Sequence, residues 1–227
     1  MLDWTLMWGS LPQVLRGLRL TLELTALVLA FGMMMAFVVA SMSRSQLRPV
    51  RIAAESYILF FRGTPALVQI FLLYFGAGQF PALRDTWLWP VLRDPFWCVV
   101  LALGLNSGAY VGKMLAGALA NLPRGPIEAA TSLGMRRGQI MLTVQLPLVV
   151  RAILPAYGNE AILTLKATSL ASTVTLLELT GQARNLVSST YAPYEIFVTV
   201  GAVYLTLALL LERFFRWAER RLRVPGH

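Results

Sequence analysis

A chain of 227 residues that is 57% hydrophobic and only 14% charged, with a mean hydropathy of +0.63, lacks the charge needed to cover a soluble surface, so lipid is its expected solvent. The formal net charge of +9 comes from arginine clusters between apolar runs, which fits the positive-inside bias of membrane proteins and argues against a nucleic-acid-binding stripe. Cys98 is the sole cysteine and His227 the sole histidine, which excludes an internal disulfide framework and leaves no histidine for a buried metal site or a catalytic base.

In chain order, MLDWTLMWGS lacks the basic n-region of a cleavable signal peptide and is expected to stay in the mature protein. The first span is expected over Leu20–Ala40, interrupted only by Glu23 near one end. The apolar run Ile52–Gln79 would measure about 42 Å as one helix, against a hydrocarbon core of about 30 Å. Pro65 lacks the amide hydrogen of a helix interior and Gly63 is flexible, so RGTP is expected to split the run into an edge helix over 52–62 and a second span over 65–79. Arg62 and Thr64 flank this break, where freed backbone groups can meet a solute; alternatively Arg62 reaches out to lipid head groups.

The third span is expected over 96–119. Asn106 and Tyr110 are four residues apart there and share one face, toward a pore or a partner helix. A loop over 121–151 follows, then a fourth span over 154–176 and a fifth over 194–214. The expected fold is therefore all-α: one polytopic membrane domain over 1–227 with five transmembrane helices and termini on opposite sides. Arg44, Arg48, Arg51, Arg124, Arg136, Arg137, Arg151, Arg213, Arg216, Arg220, Arg221 and Arg223 fall on one side, and Arg16, Arg19, Arg84, Arg93 and Arg184 on the other. The richer side is expected to be cytoplasmic, which puts the N-terminus outside and the C-terminus inside.

Within the 121–151 loop, PRGPIEAATSL favours a short helix, Gly134 a turn, and GQIMLTVQLPLVV a second short helix. Two readings are open. The loop is an amphipathic connector resting on lipid, or its small residues Ala129, Ala130 and Ser132 let another protein approach a docking helix, with Arg136 and Arg137 exposed beside it.

Ionisable residues at membrane depth cost at least about 2.5 kcal/mol and need a reason. Glu160 and Lys166 both fall in the fourth span, but at about 100° per residue they stand about 240° apart and do not pair. A desolvated Glu160 can hold a guanidinium or ammonium group, or it can pair with a neighbouring basic residue such as Arg62. Lys166, Thr168 and Ser169 can meet a carboxylate or line a gate, or bond between helices.

The stretch EAATSLGMRRGQIMLTVQLP, Glu128–Pro147, resembles the EAA motif of ABC importer permeases: Glu128, Ala129, Ala130, Gly134, Leu146 and Pro147 fall in register, with Val144 in place of the usual isoleucine. FRGTPALVQ, LNSGAYVGKMLAGAL, LPAYGNEAILTLKATSL and FRWAERR are similar to the polar amino acid permeases of that superfamily, especially the histidine, arginine, lysine and opine branch. Nearly the whole chain is covered. The resemblance implies the type I ABC importer permease fold, a bacterial inner membrane location, a second permease that is identical or homologous, two ABC ATPase subunits and an external solute-binding protein. It implies that Glu128, Ala129, Ala130, Gly134, Met135, Arg136, Leu146 and Pro147 form the ATPase-docking coupling helix and its surroundings. The implied cargo is an amino acid, basic or opine, since the Asn159–Glu160 pair resembles the basic branch where glutamine-type permeases carry an amide. ATP and Mg are implied on the partner, because no GxxxxGK[ST] occurs here and VGKM at 111–114 is the nearest fragment. A polar neutral amino acid permease, an ion-coupled secondary transporter and a membrane enzyme are the alternative readings; the secondary transporter would usually show internal repeats.

Overall fold

Asp3 opens the first helix by accepting hydrogen bonds from the Thr5 and Leu6 amides at 2.9 and 3.1 Å, the N-terminal donors that a helix cannot satisfy itself. The computed structural model describes residues 3–222; Arg223 and His227 lie outside the described residues. Helix α1 (Trp4–Val14) passes through a tight turn at Leu15–Gly17 into α2 (Leu18–Ser43), so Trp4–Ser43 is a run of 40 residues. The helix thus starts far ahead of the expected Leu20, because Gly9, Ser10, Pro12 and Gln13 dilute the apolar signal without stopping the helix.

Helix α3 (Arg48–Gly63) begins four residues before the expected edge helix and meets α4 (Ala66–Phe71) at a bend of 105°. The second arm continues through a π turn at Leu72–Gly76 and a final turn at Ala77–Gln79. Two short helices, α5 (Pro81–Arg84) and α6 (Trp89–Leu92), lead to α7 (Pro95–Ala120), whose N-terminus is capped by Asp94 accepting from the Phe96 amide at 2.9 Å.

Helix α8 (Arg124–Ser132) is the short helix expected in the loop, but no separate second short helix follows. Helix α9 (Arg137–Ile140), a π turn at Met141–Gln145, α10 (Leu146–Ala167) and a tighter turn at Thr168–Val174 make one continuous rod of 38 residues. The expected fourth span, 154–176, is only its distal part. Pro147 lacks the amide hydrogen that would bond the Thr143 carbonyl, and the helix widens into its π turn there instead of ending. After it, α11 (Leu179–Thr190), which the sequence reading leaves as a loop, precedes α12 (Pro193–Leu222). Four of these helices are long and apolar enough to cross a membrane, or five if the bent pair counts as one span. Among the described residues there is no strand.

Helix α7 is the centre of the bundle. Its Gly104, Gly108 and Gly112 recur every fourth residue and face Phe31, Met35 and Val39 of α2, where an added Cβ would collide with the Phe31 ring, lie 2.7 Å from Met35 Cβ and 2.9 Å from Val39 Cβ. Lipid gives no hydrophobic drive for helices to associate, so close backbone approach through small residues supplies the contact. With α2 on that side, the remaining faces of α7 are left for α3, α4 and α10.

A polar anchor ties the start of α2 to α11 and α12. Glu178, fully buried, accepts from the amides of Thr180 (2.7 Å) and Gly181 (2.9 Å) and from the Tyr204 hydroxyl (2.8 Å). The Leu179 amide donates to Thr21 Oγ1 at 3.2 Å. Gly108→Ala should lower stability by about 1–3 kcal/mol through overpacking, seen as a lower unfolding midpoint in detergent. Gly201→Ala, whose Cβ would meet nothing within 4 Å, should not lower it.

Candidate functional site

Ending α3 at Gly63 leaves the carbonyls of its last turn without intrahelical partners. The chain supplies those partners itself. Thr64 Oγ1 donates to the Phe60 carbonyl at 2.8 Å. Gln69 Nε2 lies 3.0 Å from the Phe61 carbonyl, 3.1 Å from the Thr64 carbonyl and 2.7 Å from Thr64 Oγ1. Asn106 Nδ2 on α7 donates to the same Phe61 carbonyl at 2.8 Å and to Gln69 Oε1 at 3.1 Å. The expectation of free backbone groups at RGTP is therefore corrected: these carbonyls are clasped by Gln69 and Asn106, and Thr64 serves the clasp. Asn106 keeps only its amide oxygen for a ligand. Gln69, 4% exposed, was missed, although an amide in the apolar run just after the break was a readable signal.

Beside this clasp, α7 and α10 enclose a cavity of about 200 Å³ lined by Leu103, Asn106, Ser107 and Tyr110 on one side and Glu160, Leu163, Thr164 and Ala167 on the other. Glu160 is 6% exposed, and among the described residues no lysine or arginine pairs with it. Arg62, the partner weighed from the sequence, instead lays its guanidinium over the Tyr110 ring, 5.0 Å from the centroid. Ser107 Oγ is buried without a hydrogen-bond partner. Three of the residues singled out from the sequence, Glu160, Asn106 and Tyr110, thus meet in one place, and Ser107 and Thr164 join them unforeseen.

Lys166, Thr168 and Ser169 do not reach this cavity. Lys166 is exposed, and the chain tightens after Ala167 so that Thr168 Oγ1 bonds the Leu165 carbonyl and Ser169 Oγ the Lys166 carbonyl, each at 2.7 Å. Their hydroxyls serve the turn.

At the other end of the rod, α8 is closed by a Schellman arrangement. Gly134, with φ of 74°, donates to the Thr131 carbonyl at 2.9 Å, and the Met135 amide donates to the Ala130 carbonyl at 3.2 Å. That left-handed conformation favours glycine. The Arg136 amide then donates to Gln139 Oε1 at 2.9 Å, opening the long rod. Glu128, Ala129, Gly134 and Arg136 are exposed and Met135 is half-buried, as is Leu146 beside exposed Pro147 in the rod itself. Ala130 departs from expectation: at 5% exposed it faces its own chain, because one residue turns the helix by about 100° away from Ala129. Leu133, passed over in the sequence, stands 82% exposed at the tip.

Residues 28–224 match the family described as binding-protein-dependent transport system inner membrane component, and the chain belongs to that family. It is similar to the octopine transport system permease protein OccM of Rhizobium radiobacter, at 42% identity over 96% of this chain and 92% of that one. The nopaline permease NocM of Agrobacterium fabrum is 39% identical over 96% and 91%, and the arginine ABC transporter permease ArtM of Escherichia coli 36% identical over 95% and 96%. A crystal structure of an amino acid ABC transporter with histidines superposes with a TM-score of 0.84 at 34% identity, covering 97% of this chain and 99% of that chain. The MetNI methionine ABC transporter, in an inward-facing conformation, shares the fold, with a TM-score of 0.75 at 18% identity over 98% of this chain and 100% of that one. The type I importer permease fold expected from the EAA motif is the fold observed. As a permease of this family, the chain works with an ATPase and a solute-binding protein.

The clasp makes a direct prediction. Asn106→Leu leaves the Phe61 carbonyl short of a donor and should cost about 1–3 kcal/mol, and Asn106→Asp, which sets an acceptor against that carbonyl, should cost at least as much in detergent unfolding.

Proposed function

We propose that this chain is the membrane-spanning subunit of an ATP-driven importer of guanidinium-bearing or other cationic amino acids, opines included, and that Glu160 holds the cationic end of the cargo. The observation that carries the reading is a buried carboxylate with no pairing cation among the described residues, facing a cavity between two packed helices. A desolvated carboxylate is costly unless paired, and a guanidinium offers it short charge-assisted hydrogen bonds. The names of the relatives support this reading, since octopine, nopaline and arginine all bear a guanidinium group.

In this reading the arginine-rich side is cytoplasmic, two ATPases bind ATP and Mg there, and a second permease, identical or homologous, completes the path. The α8 peg, with Glu128, Ala129 and Leu133 outward and Gly134 closing it, seats in an ATPase groove. When ATP draws the ATPases together the peg moves with its groove, and the rod that starts at Arg137 carries the motion to the cavity. An external solute-binding protein delivers the amino acid from the opposite side.

Two outcomes test this reading. In proteoliposomes with the ATPase and the binding protein, Glu160→Gln should cut uptake of a cationic amino acid at least about tenfold, equivalent to about 1.4 kcal/mol, and cut uptake of any neutral amino acid the system accepts far less; equal loss for both removes Glu160 from the site. Gly134→Asp, which strains the left-handed turn, and Glu128→Lys should each reduce co-purification of the ATPase while the permease stays folded.

A further inference from the structure

Tyr110 has two sides. One lines the Glu160 cavity, and the other lines a cleft of about 430 Å³ formed with Glu55, Ile58, Leu59, Arg62 and Gly63 of α3 and Lys113 of α7. Glu55 and Arg62 are seven residues apart and Tyr110 and Lys113 three, so each pair lies on one face of its helix. The cleft therefore holds two cations and one acid. Among the described residues neither Arg62 nor Lys113 forms an ion pair, although Glu55 shares the same lining.

Arg62, in the last turn of α3, and Lys113, on α7, are both exposed where they line this cleft, so their charges are open to a ligand. Head-group contact accounts poorly for Arg62, whose guanidinium is stacked on a ring that belongs to the cavity wall. Stacking covers one face of the guanidinium and leaves its in-plane N–H edge open, the edge that forks onto a carboxylate. The two compartments are thus opposite in charge and separated by one aromatic ring.

We propose that the Arg62–Lys113 cleft is the carboxylate half of one bipolar ligand site, which takes the carboxylate end of a zwitterion whose cationic end sits at Glu160. This rests on the reading of Glu160 given above. Arg62 takes the first carboxylate, and Lys113 adds a second positive charge suited to a ligand with two carboxylates, the feature that separates an opine such as octopine from arginine. Tyr110 is the shared wall that fixes the spacing between the two ends.

The test is ligand binding to the purified permease–ATPase complex by equilibrium dialysis with four probes: arginine, agmatine (arginine without its carboxylate), citrulline (the carboxylate without the cationic side chain) and octopine. Arg62→Gln should weaken arginine binding at least about tenfold and leave agmatine within about threefold, with tenfold corresponding to about 1.4 kcal/mol. Arg62→Lys, which keeps the charge but loses the planar fork and stack, should recover only part of the arginine affinity, above that of Arg62→Gln. Lys113→Gln should weaken octopine more than arginine. Equal losses of arginine and agmatine in Arg62→Gln, or an Arg62→Lys variant as poor as Arg62→Gln, would show that Arg62 acts through packing of Tyr110 and would overturn the proposal; equal effects of Lys113→Gln on octopine and arginine would remove Lys113 from it. Glu160→Gln keeps the two readings apart: loss of arginine and agmatine with citrulline unchanged upholds the cation site whatever Arg62 does. Unchanged arginine binding in that variant, or none in the unaltered complex, overturns both.

Discussion

Hydrocarbon offers no donor or acceptor to a polar group, so each one carried into the membrane must find its partner inside the protein. Most of this fold can be read as the consequence. Where α3 ends at Gly63, Gln69 and Asn106 take up the exposed Phe61 carbonyl, and that need brings α4 and α7 together at the 105° bend. Where α11 begins, Glu178 caps it and receives the Tyr204 hydroxyl. The serines and threonines of the spans mostly return their hydroxyls to carbonyls one turn back, as at Thr25, Thr164's neighbour Thr168, and Thr199. Against that background Glu160 stands out, because it is buried and no cation among the described residues pairs with it.

The close seam between α2 and α7 gives this arrangement its stiffness. With Gly104, Gly108 and Gly112 against Phe31, Met35 and Val39, neither helix can slide without collision, so Asn106 and Tyr110 are held at fixed depth toward α3 and α10. The opposite wall of the cavity is built differently. Glu160 rides on a rod that runs unbroken from Arg137, about 35 Å away along the helix axis at 1.5 Å per residue, and that rod opens directly from the capped turn at Gly134. A displacement of α8 therefore has a short mechanical route to one wall of the cavity while the other wall stays pinned. The π turn at Met141–Gln145 lies on that route, in keeping with the tendency of such turns to sit at functional sites.

Much of this was legible in the sequence, and the failures have physical causes. Pro65 and Gly63 announced the break because proline removes a donor whatever surrounds it. Gly134 announced the turn, and the EAA spacing announced the peg. The rod that the sequence reading divided contains Pro147 and Pro155, since a helix of this length tolerates proline when a π turn or neighbouring packing absorbs the lost bond. Helices α1 and α11 escaped because both mix apolar with small and polar residues and owe their stability to packing on α12 and the Leu15–Gly17 turn. Asking which polar groups stood at membrane depth picked out Glu160, Asn106 and Tyr110, which line one cavity. Ser107 and Thr164, which line it too, are common helix residues with no such mark, and Lys166, about 240° from Glu160 around the helix, does not line it.

The central claim is that the Glu160 carboxylate pairs with the cationic end of the cargo. The most direct measurement is a density map of the assembled transporter loaded with arginine. The guanidinium is expected in the α7–α10 cavity with its nitrogens within about 4 Å of the Glu160 oxygens, the separation of an ion pair. A map showing arginine bound elsewhere in the permease, with the cavity empty and Glu160 unengaged, would contradict the account.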